Sequence, residues 1–178
     1  MILFFIPLKN FSQNHLDFGQ VNGQVDSACK YGDGNKSVQK ETKLYIHLIQ
    51  ASMLIGRYWQ ATLSFNGISW KAMHYNGDWI HNTIDSFEVY PLFSYDSVFQ
   101  ILKNNNIFTL PNQNELKNVK GSVDDGSEYR LYFEAGCKSR EYEFNNPSIY
   151  QKSNKDISEF SNYVNIVDLL FKGFKKIR

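Results

Sequence analysis

Trp59–Ala72, WQATLSFNGISWKA, carries the clearest local signal in the chain. Apolar residues alternate with polar ones on both sides of Asn66-Gly67, the period of a half-buried strand. Asn-Gly suits the two positive-φ positions of a type I′ turn, so the spacing predicts a two-residue hairpin loop. In that register Phe65 faces Ile68, Leu63 faces Trp70 and Trp59 faces His74, with every apolar residue on one side. His74 then reads as a stacked or hydrogen-bonded structural histidine.

Working outward, Leu44, Ile46 and Leu48 alternate with Lys43, Tyr45 and His47 as an earlier strand. Asn76-Gly77 reads as the turn that closes the hairpin unit, and Phe87–Leu92 as a short strand. Ser94 caps a helix whose Tyr95, Val98, Phe99 and Leu102 follow helical spacing, with Asp96 near the positive end of the dipole. Asn104-Asn105-Asn106 stops that helix, and Ile107–Pro111 is expected to run extended. Ser127–Glu134 and Cys137–Phe144 form a second hairpin. Because Ala135 disfavours positive φ, a four-residue loop Glu134–Cys137 is preferred, with Arg130 opposite Glu141. Asn145-Asn146-Pro147 ends the second strand. Ser158 or Asp156 then caps a helix with the stripe Phe160, Tyr163, Val164, Val167, Leu170, Phe171 and Phe174. The expected class is α+β: an antiparallel sheet of about five to six strands built from hairpins, with two helices packed on one face.

The chain has 178 residues, room for one ordinary domain plus a tail. Its 19 basic and 18 acidic residues leave a net charge of +1, which removes the electrostatic basis for nucleic-acid binding. No apolar run approaches the roughly 20 residues that a membrane span requires. Residues 1–13 read as a short secretory signal: Ile2–Leu8 is the apolar core and small or polar residues follow. The charged segment that normally precedes such a core is missing, and an upstream start would supply it. The other reading of Ile2–Leu8 is a buried strand, which would leave the protein cytoplasmic. Residues 14–42 are polar and turn-rich, a linker or loose loop, and residues 43–178 form a single domain. Asp26, Asp33 and Asn35 lack the ligand spacing of a calcium loop.

Catalytic patterns are missing. His15, His47, His74 and His81 make no metal-ligand spacing, and the chain has no nucleophile elbow, phosphate loop or dinucleotide fingerprint. No cofactor and no metal are expected. Asp124, Asp125 and Glu128 suggest either carboxylate-assisted hydrolysis or an Asp-Asp-Gly turn, and the turn is the simpler reading. Tyr58, Trp70, Tyr75, Trp79 and His81 gather around the first hairpin. Of these, Tyr75, Trp79 and His81 are the candidate interaction surface for a protein or a sugar, because Trp and Tyr are favoured at interfaces.

The order of the Asn-Gly hairpin, the Ser94–Leu102 helix, Ile107–Pro111, Asp125-Gly126 before Tyr129, Arg140 before Tyr142, and Asn146-Pro147 before Tyr150 resembles small, mostly uncharacterised exported proteins of the Bacteroidetes. Phe11-Ser12-Gln13 is similar to the end of signal peptides in those bacteria. The resemblance covers roughly Lys43 to Phe174 and implies export to the periplasm or cell surface, with no site residues to carry over. The leading expectation is a non-catalytic exported protein that binds a partner protein or an envelope component. An intracellular, immunity-type interaction protein is the first alternative and a hydrolase using Asp124, Asp125 or Glu128 the second.

Cys29 and Cys137 permit one disulfide, or stand as two independent thiols. Thiol titration of the denatured, unreduced protein separates these. A bonded pair titrates no thiol, and its reduction lowers stability by about 4–5 kcal/mol in the chain-entropy model.

Overall fold

The computed structural model describes residues 16, 18, 20, 21, 24, 25, 43–52, 55–123 and 126–176. Its strands are β1 (Gln24–Val25), β2 (Leu44–Ser52), β3 (Arg57–Phe65), β4 (Trp70–Asp78), β5 (Thr83–Pro91), β6 (Ser127–Ala135), β7 (Lys138–Asn145) and β8 (Phe174–Lys176). Helix α1 (Tyr95–Asn104) follows β5; α2 (Pro147–Ser153) and α3 (Ser158–Lys172) lie between β7 and β8, and one 3-10 turn spans Gln113–Glu115. In space the strands run β1-β7-β6-β2-β3-β4-β5-β8, antiparallel at every step. The class is α+β with an antiparallel sheet. Strands and helices are both more numerous than expected, because β8, α2 and the two-residue β1 are too short to carry a periodic signal.

Alternation gives each long strand an inner and an outer set of side chains. Leu44, Ile46 and Leu48 of β2 lie fully buried between Leu63 of β3 and Leu131 and Phe133 of β6. Helix α1 reaches this inner set where Tyr95 stacks on Trp70, with centroids 5.4 Å apart. Tyr163 of α3 stacks on Phe144 at 3.8 Å and meets Tyr129 and Tyr142 edge-on. Ser94 caps α1 as expected, its side chain accepting from the Ser97 amide.

Both hairpins keep the expected faces and change their loop lengths. The first has a four-residue loop: Phe65 pairs with Trp70, Leu63 with Ala72 and Ala61 with His74. The Asn66 carboxamide accepts from the Ile68 and Ser69 amides, and only Gly67 of the Asn-Gly pair takes positive φ (97°). Trp70 gains contact with both Phe65 and Tyr95, whereas Ile68 is left 88% exposed. The second hairpin has a two-residue loop, with Ala135 paired to Lys138 and Arg130 opposite Glu143 rather than Glu141. Gly136 takes the positive φ (59°), so Ala135 stays in the strand, buried and also paired with Leu44.

Four local expectations are corrected. Asn76-Gly77 lies inside β4, and the reversal occurs at residues 79–82, where Asn82 has φ 49°. Gly77 is needed because the Tyr58 ring covers it; a methyl group there would run into that ring. Residues 107–110 turn back on α1 instead of extending, with the Leu110 amide on the Asn106 carbonyl, which buries Ile107 and Phe108. The N-cap of α3 is Ile157, and Ser158 is already helical. Phe174 sits in β8 against Pro91, while Ile166 and Leu169 complete the buried stripe.

Within the tract 14–42, the described residues touch the fold. Leu16 and Val21 are buried, Phe18 meets Phe99 and Phe108 edge-on, and Lys138 Nζ donates to the Val21 carbonyl at 2.7 Å. Residues 1–13, read as a signal, lie outside the described residues.

Two buried tyrosines differ in their hydroxyls. Tyr142 donates to the Ile107 carbonyl at 2.9 Å; among the described residues the Tyr163 hydroxyl has no partner. Burial pushes both phenols well above their ordinary ionisation range. Denaturant unfolding should show Tyr142→Phe losing about 1–2 kcal/mol, whereas Tyr163→Phe is neutral or stabilising.

Candidate functional site

The outer set of the central strands forms one surface. Tyr45 and Tyr132 lie across β2 and β6, with centroids 6.1 Å apart, and His47 meets Gln60 Oε1 at 3.1 Å. Burial raises the Tyr45 pKa above its ordinary value, with Tyr75 and Tyr132 adding smaller effects. Toward the Ser52 end this surface opens into a recess of about 430 Å³. Ile49 and Ala51 of β2, Tyr58 and Gln60 of β3, and Glu128 and Arg130 of β6 line it together with Trp79. Trp79 is 49% exposed and stacks on Tyr58 with centroids 5.4 Å apart. The glycine at 77 lets Tyr58 lie close to β4, and Tyr58 in turn supports the indole.

Arg130 stands among three carboxylates: Glu143 at 2.8 Å, Glu141 at 3.1 Å and Glu128 at 3.3 Å. Desolvation opposes its charge, but Glu143, Glu141 and Glu128 outweigh that and its pKa lies above the ordinary value. This part of the surface therefore carries no excess positive charge. It can donate and accept hydrogen bonds beside an aromatic platform.

The inner set forms a second recess where the helical cover ends. About 370 Å³ in volume, it is lined by Gln50, Trp59, His74, Asn76 and Phe171, with Gln60 and Tyr75 also contributing. His74 sits among Phe87, Phe171 and Phe174, with ring centroids 6.0–6.2 Å away. Its Nε2 lies 2.8 Å from the Leu170 carbonyl, which can only accept, so Nε2 carries the proton.

The three candidate surface residues are thus separated. Trp79 is in the outer recess. Tyr75 is in β4, opposite Gln60. His81 is tied to the turn, with Nδ1 3.0 Å from Asp78 Oδ2, while Asp78 Oδ1 accepts from the Ile80 and His81 amides. Those bonds to His81 hold the Asp78 carboxyl below its ordinary pKa. Trp70 faces the inner side at the opposite end of its strand. Glu128 lines the outer recess against Arg130; Asp124 and Asp125 lie outside the described residues, as does Cys29, which the sequence left either bonded to Cys137 or an independent thiol.

Gln50 and Gln60 were not singled out in the sequence, Arg130 was read only as a cross-strand partner and Asn76 only as a turn residue. The β2–β3–β4 pairing places Gln50 in the row of Asn76, and β2–β6 pairing, remote along the chain, brings Arg130 into the row of Gln60. Tyr58 was grouped with Trp79 in the sequence, but its place over Gly77 was not read, because Gly77 was taken as a turn residue rather than as a glycine within a strand, which marks a close approach. Among the described residues no helix is long and apolar enough to cross a membrane, and no group of three or more His, Cys, Asp or Glu is placed to hold a metal. No protein-family model, curated protein or solved structure matches the chain.

Burial lowers the His74 pKa, and the Leu170 carbonyl offsets this only in part. The unfolded chain therefore takes up a proton at higher pH than the folded one, so the stability of the neutral form is complete above the unfolded value, 6.5. It is lost as pH falls through the lower folded value. Melting temperature should decline over that acid range, and His74→Gln should flatten this part of the profile.

Proposed function

We propose that this is an exported, non-catalytic binding protein that recognises a partner protein through the outer sheet face. The carrying observation is Trp79, half exposed and held against Tyr58 beside Arg130 at the 430 Å³ recess. Trp, Tyr and Arg are the side chains most enriched at binding hot spots, because each buries a large area with a polar tip. Tyr45, Tyr75 and Tyr132 extend the same composition along the face. Export is supported by the Ile2–Leu8 pattern and by the resemblance to exported Bacteroidetes proteins, both features of sequence.

Substitution of Trp79 tests the reading. Trp79→Ala should cost about 1 kcal/mol, the worth of one ring pair. It should abolish recovery of the partner that co-purifies with the wild-type protein from its native source. A large fall in melting temperature with undiminished partner recovery would overturn the proposal, as would turnover of a substrate that vanishes in Glu128→Gln. Mass spectrometry of the native protein should find an N-terminus beyond the apolar run. Retention of Ile2–Leu8 favours the intracellular, immunity-type alternative.

A further inference from the structure

The inner recess has a composition that the core does not explain. Along β2 the inner residues run Leu44, Ile46, Leu48 and then Gln50; along β3, inward from the hairpin, Phe65, Leu63, Ala61 and then Trp59; along β4, Trp70, Ala72 and then His74 and Asn76. Three adjacent strands change from mainly aliphatic residues to an amide, indole and amide in the row Gln50–Trp59–Asn76, and β4 makes the change one row earlier, at His74 beside Ala61. The change falls where α3 ends at Lys172 and the chain leaves to pair β8 with β5. Phe171, in the last turn of α3, forms the wall opposite the sheet.

The hydrogen-bonding groups there are defined. His74 Nε2–H is engaged by the Leu170 carbonyl, which leaves Nδ1 as an acceptor while the ring is neutral. Gln50 Nε2 donates to the Ser127 hydroxyl, leaving its carbonyl oxygen to accept. Among the described residues the Asn76 carboxamide has no hydrogen-bond partner, so it offers both donors and an acceptor. Among the described residues no Asp, Glu, Lys or Arg side chain lines the recess. Phosphates, carboxylates and cations therefore find no counter-charge, and burying one there uncompensated is costly.

We infer that this recess binds a neutral sugar unit, its apolar ring face against Trp59 and its hydroxyls on Asn76, Gln50 and His74. A pyranose has one C–H-lined face and a rim of hydroxyls that both donate and accept. That matches an indole beside carboxamides better than a purely apolar ligand does. The volume, about 370 Å³, lies within the usual range for small-ligand pockets. The site is on the opposite side of the sheet from Trp79 and stands independently of the partner surface there.

NMR titration of the isotope-labelled full chain with glucose, galactose, mannose and N-acetylglucosamine tests this, with glucuronate and glucosamine as charged controls. At least one neutral sugar should shift the Trp59 indole N–H and the Asn76 side-chain amide with millimolar affinity. Trp59→Ala and Asn76→Ala should each weaken that affinity, the former by about tenfold or more, with folded spectra retained. Trp79→Ala should leave it unchanged. If no neutral sugar shifts these signals, if only the charged controls bind, or if the shifts centre on Trp79, the inference is wrong.

Discussion

The structure depends on β2 being paired along both edges. Nine consecutive residues, Leu44 to Ser52, are in register with β3 on one side and β6 on the other. The β3 partner is close in sequence, but Leu48 meets Leu131 only after the chain has made three further strands and a helix. This pairing joins two otherwise separate units, the β2–β5 meander and the β6–β7 hairpin, into one sheet. Because side chains alternate with period two, a slip of one residue would exchange the two faces of β2 against both neighbours. The register that buries Leu44, Ile46 and Leu48 therefore also aligns Ile49 and Ala51 with Tyr58 and Arg130.

The two faces have different means of closure. The inner one is covered by aromatic contacts from α1 and α3, Tyr95 on Trp70 and Tyr163 on Phe144. Toward the far ends of β2, β3 and β4 the inner residues are Gln50, Trp59 and Asn76 in place of aliphatic ones, and His74 packs under Phe171 and Phe174. On the outer face, Tyr side chains lean on one another across strands, and Arg130 is held by carboxylates from its own strand and from β7. A guanidinium so engaged is fixed in place, which reduces the ordering cost of any contact it makes. Trp79 is held similarly, through Tyr58 and the space left by Gly77.

Much of the strand content was legible. Alternation identified the inner residues of β2, β3, β4, β6 and β7, and both hairpin faces survived errors of two residues in loop length, since an even shift conserves parity. The loop lengths themselves were not legible. Asn66-Gly67 has the local chemistry of a tight turn, but the stacking of Trp70 on Tyr95 adds a tertiary term that turn propensity does not contain. At Gly136 the reverse holds: glycine alone absorbs the positive φ, which frees Ala135 to pair with both Lys138 and Leu44. Of the candidate site, Trp79 was visible as an aromatic residue near a turn. Its company was not, because Arg130 reaches it only through β2.

By itself the sequence determined the class of the fold, the identity of the buried face on each long strand and the start of α1, because periodicity and capping are local properties. It also determined the near-zero net charge. Long-range contacts decided that β2 lies between β3 and β6, that Tyr58 lies over Gly77 beneath Trp79, and that Gln50, Trp59, His74 and Asn76 line a recess beside Phe171. These follow from long-range pairing and from where α3 ends, and neither is set by the residues that neighbour each site along the chain.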